Sequence, residues 1–292
     1  MTQLPLASSI GEARTYCKSK LDSIGIQSSA IDTDLLLSST LNVSRIHLYA
    51  YPEQAISKVQ CEQLLSLLNR RLQDEPMAYI LGEREFFGRS YAVDHNVLIP
   101  RPETELLVET TLNYLNDLEH ARVLEIGTGS GCVAISLDLE SVDTTVESWD
   151  YSHQALGVAK KNSSRLGANV SFIQKDALKP CSWNTQEKFD LLVSNPPYIA
   201  WSEFSDIESG VRDYEPHEAL FAEEDGLAFY KTFAQKGPMV LKPKGLGIFE
   251  IGFAQADKIT EVFKMFGWEV ISVIKDYMSK HRLVVVSYSD KS

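Results

Sequence analysis

Three glycines within five residues, Gly127-Thr128-Gly129-Ser130-Gly131, follow directly on the β-favouring run Arg122-Val123-Leu124-Glu125-Ile126, and no other feature constrains the fold as strongly. Such a cluster ends the strand and lets the backbone approach a ligand at the N-terminus of the helix that follows. Downstream the chain keeps alternating. Thr145 to Trp149 reads as a strand, His153 to Leu166 as a helix, and Val170 to Ile173 and Phe189 to Val193 as strands. Then come a helix from Leu227 to Phe233, a strand from Gly247 to Ile251, a helix from Ala256 to Phe266, and strands over Glu269–Ile274 and Leu283–Tyr288. Alternation of this kind predicts a mostly parallel sheet with helices on both faces. About eight residues separate the last two strands, too few for a helical crossover, so these two are expected to pair antiparallel.

The N-terminal part has a different period. Ile10, Ala13, Cys17, Leu21 and Ile24, then Ile31, Leu35 and Leu36, then Leu64, Leu65, Leu68 and Leu72 recur at helical spacing. Breaks at Gly25, at Asn42-Val43-Ser44 and at Tyr51-Pro52 cut this region into short helices, a small all-α bundle. The reading is therefore two domains: a helical bundle over 1–82, a β-hairpin linker over 83–100 containing Glu85-Phe86-Phe87-Gly88-Arg89, and an α/β domain over 101–292 whose first helix begins after Pro102. A chain of 292 residues with 44% hydrophobic content has material for both cores.

Charge excludes some functions. Residues 1–82 carry 7 basic and 8 acidic side chains, so nearly all of the net charge of −12 lies in the larger domain. A protein that draws its affinity from nucleic-acid phosphates needs clustered Lys and Arg, so a protein or small-molecule substrate is expected rather than nucleic acid. Cys17, Cys61, Cys132 and Cys181 are widely separated, which points to reduced thiols and the cytosol. No apolar run reaches the ~18 residues of a membrane span, and the histidines lack metal-ligand spacing, so neither membrane nor metal is expected.

Glycine loops alone serve dehydrogenases, flavoproteins and methyltransferases alike. The second strand, however, ends in Ser148-Trp149-Asp150, which sets a carboxylate where it can accept hydrogen bonds from two ribose hydroxyls. The loop residues Gly127, Thr128, Gly129, Ser130 and Gly131 and the carboxylate of Asp150 are thus expected to bind an adenosine-containing cofactor. Asp176 is either a partner for an adenine amino group or solvated surface. Glu125 either braces the loop or meets a cationic part of the cofactor. Further on, the run Phe189–Ser194 ends in Asn195-Pro196-Pro197-Tyr198, where prolines leave carbonyls without paired N–H groups and offer acceptors to a planar NH2 group.

These runs, together with Gly82-Glu83-Arg84-Glu85-Phe86-Phe87, Leu98-Ile99-Pro100-Arg101-Pro102-Glu103-Thr104-Glu105 and Asp213-Tyr214-Glu215-Pro216, closely resemble the peptide chain release factor N(5)-glutamine methyltransferases. The resemblance implies a class I S-adenosylmethionine-dependent methyltransferase with a Rossmann-like sheet. It further implies that the substrate is the glutamine of the Gly-Gly-Gln tripeptide in class-I translation release factors, held in part by the N-terminal helical domain. Carried over by position, Asn195, Pro196, Pro197 and Tyr198 would hold the glutamine, with Asn195, Pro196 and Tyr198 at the reacting centre and Asn195 also beside the cofactor. Some members carry an aromatic residue where this chain has Ala177, so another side chain must cover the adenine. Arg101 and Glu103 either line the site or bridge the domains. Other readings remain: methylation of a ribosomal-protein glutamine, amino-methylation of a flipped adenine, a nicotinamide oxidoreductase, or a non-catalytic adaptor.

Overall fold

The computed structural model describes residues 9–288, and the chain divides into two compact units. One ends at Gly82 and also takes in Ser209–Tyr214; the other comprises Glu83–Glu208 and the chain from Glu215 onward.

The first unit is helical: α1 (Ile10–Ser23), α2 (Ser29–Leu41), α3 (Arg45–Ala50), α4 (Lys58–Leu72) and α5 (Met77–Leu81). Ser9 and Ser57 close capping boxes with Glu12 and Gln60, satisfying the free N–H groups that start α1 and α4. Ile10, Ala13, Cys17 and Leu21 pack with Leu36, Leu37, Leu64 and Leu68 in one core. The apolar stripe is not followed throughout, since Ile24 and Ile31 are exposed while α2 buries Asp32 and Asp34. These acids are buried because each has partners: Arg71 sits 2.8 Å from Asp32, and Asp34 accepts from Arg14 at 2.7 Å and from the Tyr49 hydroxyl at 2.8 Å. The segment Ser209–Tyr214 is tied to this unit by the Tyr214 hydroxyl, which donates to the Gln73 carbonyl at 2.8 Å.

The second unit opens with the antiparallel pair β1 (Glu83–Phe86) and β2 (Arg89–Ala92), followed by α6 (Glu105–Leu115). The main sheet contains β3 (Ala121–Ile126), β4 (Thr144–Asp150), β5 (Ser171–Gln174) and β6 (Phe189–Ser194). Two short strands, β7 (Ile199–Ala200) and β8 (Phe221–Ala222), pair apart from it, and β9 (Leu241–Glu250), β10 (Trp268–Lys275) and β11 (His281–Tyr288) complete it. Its order is β10-β11-β9-β6-β3-β4-β5, parallel from β9 through β5, with β11 antiparallel to both neighbours. The doubly wound sheet with an antiparallel final strand expected from the sequence is the one found.

Helices α7 (Cys132–Glu140) and α8 (His153–Leu166) follow β3 and β4, and later helices span Ala228–Lys236 and Ala256–Met265. Each sheet face has its own core. On one, Trp149, Trp183, Phe233, Phe249, Phe263 and Trp268 touch in sequence, with ring centroids 5.0 to 6.2 Å apart. On the other, Val123, Leu191, Val193 and Val285 meet Leu107, Val108 and Ile135, and the Tyr91 hydroxyl pairs with Ser136 at 2.9 Å. Strand β9 begins at Leu241, earlier than expected. Leu241 pairs with Phe189, and a register shift absorbs the intervening residues, Pro243 among them, before Leu246 meets Leu191.

Burial alone would raise the pKa of Asp34, but hydrogen bonds from Arg14 and Tyr49 outweigh it and hold the carboxyl below its ordinary 3.8. The stability this gives is present above that value and lost as pH falls through the depressed one. Because Arg14 and Arg45 are part-exposed and can be rehydrated, Asp34→Ala is expected to cost about 2 kcal/mol in urea unfolding of the full chain at neutral pH. A loss under about 0.5 kcal/mol would show that the cluster holds nothing together.

Candidate active site

Strands β4, β3 and β6 are neighbours, and Ile126 stands opposite both Trp149 and Ser194 in the register. All three strands therefore end at one edge, where a cleft of about 400 Å³ opens, lined by Glu125, the glycine loop, Asp150, Asp176, Asn195 and Pro197 among others.

The loop is held from several sides. The Gly127 N–H donates to the Trp149 carbonyl at 2.8 Å, and the Gly129 N–H to Asp150 Oδ2 at 2.9 Å. The Thr128 hydroxyl pairs with Ser148 at 2.6 Å, and Ser148 in turn donates to Glu125. At Gly131, with φ of 82°, an added Cβ would lie 2.8 Å from Ile135 Cδ1 and 3.1 Å from Ala159 Cβ, so only glycine lets α7 and α8 close on the loop. Buried Asn162 donates to the Ser130 carbonyl at 2.9 Å and exchanges hydrogen bonds with Ala92, joining loop and hairpin.

Two carboxyls here have unusual acidity. Burial pushes Glu125 up to about 8, against the opposing hydrogen bond from Ser148. Glu125 thus braces the loop while also facing the cleft. Asp150 is raised as well, by burial, although the N–H groups of Gly129 and Ser152 pull the other way. Each Asp150 oxygen takes one of those N–H groups and has a second lone pair available. Asp176 accepts from the Leu178 N–H at 3.0 Å and lies 3.6 Å from Lys179 while still lining the cleft.

Asn195 lies against this loop: an added Cβ on Gly127 would be 3.6 Å from its carbonyl oxygen. Its Nδ2 donates to Thr104 Oγ1 at 3.1 Å, leaving Oδ1 as an acceptor. Pro197 lines the cleft and Pro196 is buried. Tyr198 is half-buried; its ring packs against the aromatic core and its phenol is raised by burial and by nearby Glu250. Gln255 Nε2 donates to the Tyr198 carbonyl at 2.8 Å. With Ala177 offering only a methyl, the aromatic lining of the cleft is Trp149, Tyr151, Trp201, Phe221 and Phe229. Arg101 lines the cleft and pairs at 2.6 Å with Glu215, which also takes the Ile99 N–H; all three belong to the second unit. Glu103 lies 3.7 Å from Arg282.

Several residues of this region escaped the sequence reading. Thr104 was seen only as part of a helix start, and Glu250 shares the signal that singled out Asp150, an acid at the end of a parallel strand. Gly226, third in a left-handed run with Glu224 and Asp225, lies so close to the Tyr198 carbonyl that an added Cβ would be 2.1 Å away. A left-handed stretch at non-glycine residues costs roughly 1–2 kcal/mol per residue, and such strain gathers at functional sites.

Comparison with known proteins agrees with this geometry. The PrmC N-terminal domain model matches residues 12–82, and the Methyltransferase small domain model matches residues 102–207. The release factor glutamine methyltransferase of Koribacter versatilis (strain Ellin345) is 37% identical over 265 residues, covering 91% of this chain and 93% of that protein. The chain belongs to the release factor glutamine methyltransferase family. Its counterpart from Bacteroides thetaiotaomicron is also 37% identical, over 87% of this chain and 90% of that one. The family domain also forms part of longer proteins. A bifunctional methyltransferase of Rickettsia typhi is 37% identical over 96% of this chain but 57% of its own length, so the chain spans little more than half of such relatives. A methyltransferase structure from Pyrococcus furiosus shares the fold, with a TM-score of 0.52 at 18% identity, covering 75% of this chain and 96% of that one.

Two outcomes follow. Gly226→Ala should lower stability by about 3 kcal/mol, read by thermal unfolding; a loss within about 1 kcal/mol of zero would mean the Tyr198 carbonyl is free to move. Between 4.5 and about 8 the folded protein holds on Glu125 a proton that the unfolded chain releases, so stability falls as pH rises through that window. The unfolding free energy of Glu125→Gln relative to the parent, read by urea unfolding, should therefore climb across it, by up to about 1.4 kcal/mol per pH unit; a pH-independent difference would refute the buried neutral carboxyl.

Proposed function

We propose that this chain transfers a methyl group from S-adenosylmethionine to the side-chain amide nitrogen of the glutamine in the Gly-Gly-Gln motif of class-I translation release factors. The observation that carries the reading is Asn195, which lies in the cleft beside the glycine loop with its Nδ2 committed to Thr104.

The residues fit such a cofactor. A cleft of about 400 Å³ falls in the range of sites that enclose ligands of this size. Asp150 has spare lone pairs for two ribose hydroxyls, and a Cβ on Gly129 would meet nothing within 4 Å, so the loop backbone is open to a ligand. Glu125 is a carboxyl in the cleft whose proton a cationic neighbour would displace. The bound cofactor supplies an electrophilic methyl on a sulfonium.

An amide nitrogen is a weak nucleophile because its lone pair is delocalised into the carbonyl, so the protein must orient it and stabilise the charge that develops on its N–H groups. Asn195 Oδ1 and the Pro196 carbonyl would each accept one amide hydrogen, fixing the nitrogen toward the methyl. Attack spreads an existing positive charge, so fixed dipoles in a cleft shielded by Trp201 and Phe221, stacked at 4.6 Å, suit the reaction without a strong base; the alkylated amide nitrogen is strongly acidic and would give up one N–H proton to water. Tyr198, Pro196 and Pro197 would hold the acceptor loop rigid. The helical unit would bind the release factor away from the reacting glutamine. The same reading makes this a cytosolic protein with no nucleic-acid or membrane partner.

The test supplies methyl-labelled cofactor with release factor, ribosomal proteins and nucleic acid in separate reactions, and maps the label by mass spectrometry. Label on the Gly-Gly-Gln glutamine is expected, falling by about a hundredfold or more in Asn195→Ala. Label only on ribosomal protein or nucleic acid would overturn the substrate, and none anywhere would overturn the transferase.

A further inference from the structure

The strand ends at the cleft edge fall into two sides. Strands β3, β4 and β5 carry or lead into the glycine loop, Asp150 and Asp176. On the other side, Ser194 at the end of β6 stands opposite Phe249 of β9, and Glu250 stands opposite Leu283 of β11. Three turns therefore lie side by side there: the acceptor run 195–198, the turn 252–255 after β9, and the turn 276–280 between β10 and β11. They are also joined. Gln255 Nε2 donates to the Tyr198 carbonyl at 2.8 Å, and its Oε1 accepts from the Gly252 N–H at 3.2 Å. The Ile251 N–H donates to the Arg282 carbonyl at 2.8 Å, and Lys280 Nζ lies 5.3 Å from the centroid of the Phe253 ring.

This side of the edge holds large apolar side chains out in solvent. Tyr277 is 100% exposed, Met278 75% and Phe253 59%. The turn that carries the first two is braced. Asp276 Oδ1 accepts from the Met278 and Lys280 N–H groups at 2.8 and 3.0 Å, its Oδ2 accepts from Arg282 Nε at 2.8 Å, and Ser279 closes the turn with a left-handed φ of 60°. A polar loop would join β10 to β11 at less cost, since apolar groups held in water gain nothing in the free protein. One exposed apolar residue needs no explanation, but an adjacent pair fixed beside a cleft, with a third across Lys280, marks a surface that binds.

We propose that Phe253, Tyr277 and Met278 form a docking surface for the protein substrate, gripping the part of the release factor that flanks its reactive glutamine. The proposal rests on the amide-methylation reading above and adds to it a surface of the methyltransferase unit that holds the substrate. The occupant follows from reach. A glutamine side chain puts only two methylenes between main chain and amide, so a main chain that delivers this amide to Asn195 lies at the cleft mouth, and the folded protein around it rests on the rim nearest Asn195. The opposite rim belongs to the cofactor groups. The two glycines of a Gly-Gly-Gln tripeptide offer no side chains to hold, so grip has to come from residues beyond them. Together the three side chains expose roughly 400 Å², about half of what each partner gives to a stable interface. That is too little to hold a second copy of the chain by itself, and it suits one contact of a larger interface that the cleft mouth completes. Aromatic residues and Met are the types enriched in such contacts.

The test compares the full chain with the double variant Tyr277→Ser, Met278→Ser, with Phe253→Ser, and with Val142→Ser as a control, since Val142 is 92% exposed just before β4, at the far end of the strands. In steady-state methylation of intact release factor, KM should rise about tenfold in the double variant and about threefold in Phe253→Ser, with kcat within about twofold of the parent. Val142→Ser should change neither. The Kd for S-adenosylmethionine and the melting temperature should match the parent in all variants, which separates lost docking from lost folding. A benzophenone photoprobe in place of the Tyr277 side chain should cross-link to release factor beside its Gly-Gly-Gln loop. An unchanged KM in the double variant beside an active parent overturns the docking surface, as does an equal rise in Val142→Ser or a cross-link that joins two copies of the chain. A parent that methylates no release factor overturns the amide-methylation reading, and the docking surface falls with it.

Discussion

Every group in the cleft depends on β4, β3 and β6 ending in register. The pairing of Ile126 with Trp149 on one side and Ser194 on the other brings the glycine loop, Asp150 and Asn195 to a single sheet edge, although nearly 70 residues separate the first of these from the last. Parallel strands allow this because their crossovers return each chain end to the same side. The pairing is fixed by burial on both faces, since a slip of one residue would exchange the aromatic core for the aliphatic one.

Around that edge the protein spends polar groups on rigidity. Ser194 donates to the Ile126 carbonyl at 2.6 Å, Asn162 ties Ser130 to the hairpin, and Glu215 fixes both Ile99 and Arg101. Each is a buried side chain whose hydrogen bonds are answered by backbone or by an opposite charge, which is what makes it affordable inside a core. The left-handed turn ending at Gly226 belongs to the same design, because it is the close approach to the Tyr198 carbonyl that demands it. A cleft so braced meets its ligands with little left to order, and that favours a reaction whose difficulty is orientation.

Buried acids give the site its electrical character. Glu125 and Asp150 line the cleft and Glu250 is buried at the end of β9, all with raised pKa values caused first by burial. A site of this kind holds latent negative charge, released when a cation enters and stabilises the ionised form. The proposed sulfonium cofactor is such a cation, which joins the acidic balance of residues 83–292 to the chemistry.

The sequence by itself determined the order of strands and helices, the antiparallel last pair, the segmented helical region and the loops after β3 and β6. These are legible because period, glycine and proline act over a few neighbouring residues. It was less reliable where partners lie far along the chain. Asp34 is buried because Arg14 and Tyr49 surround it, β9 starts early because Phe189 takes Leu241 as its partner, and Asn195 turns its amide nitrogen toward Thr104 because Thr104 Oγ1 stands there to accept from it. Only the tertiary structure decided these, because burial and hydrogen-bond direction are properties of a residue's surroundings, and those surroundings are assembled from segments that local pattern cannot bring together.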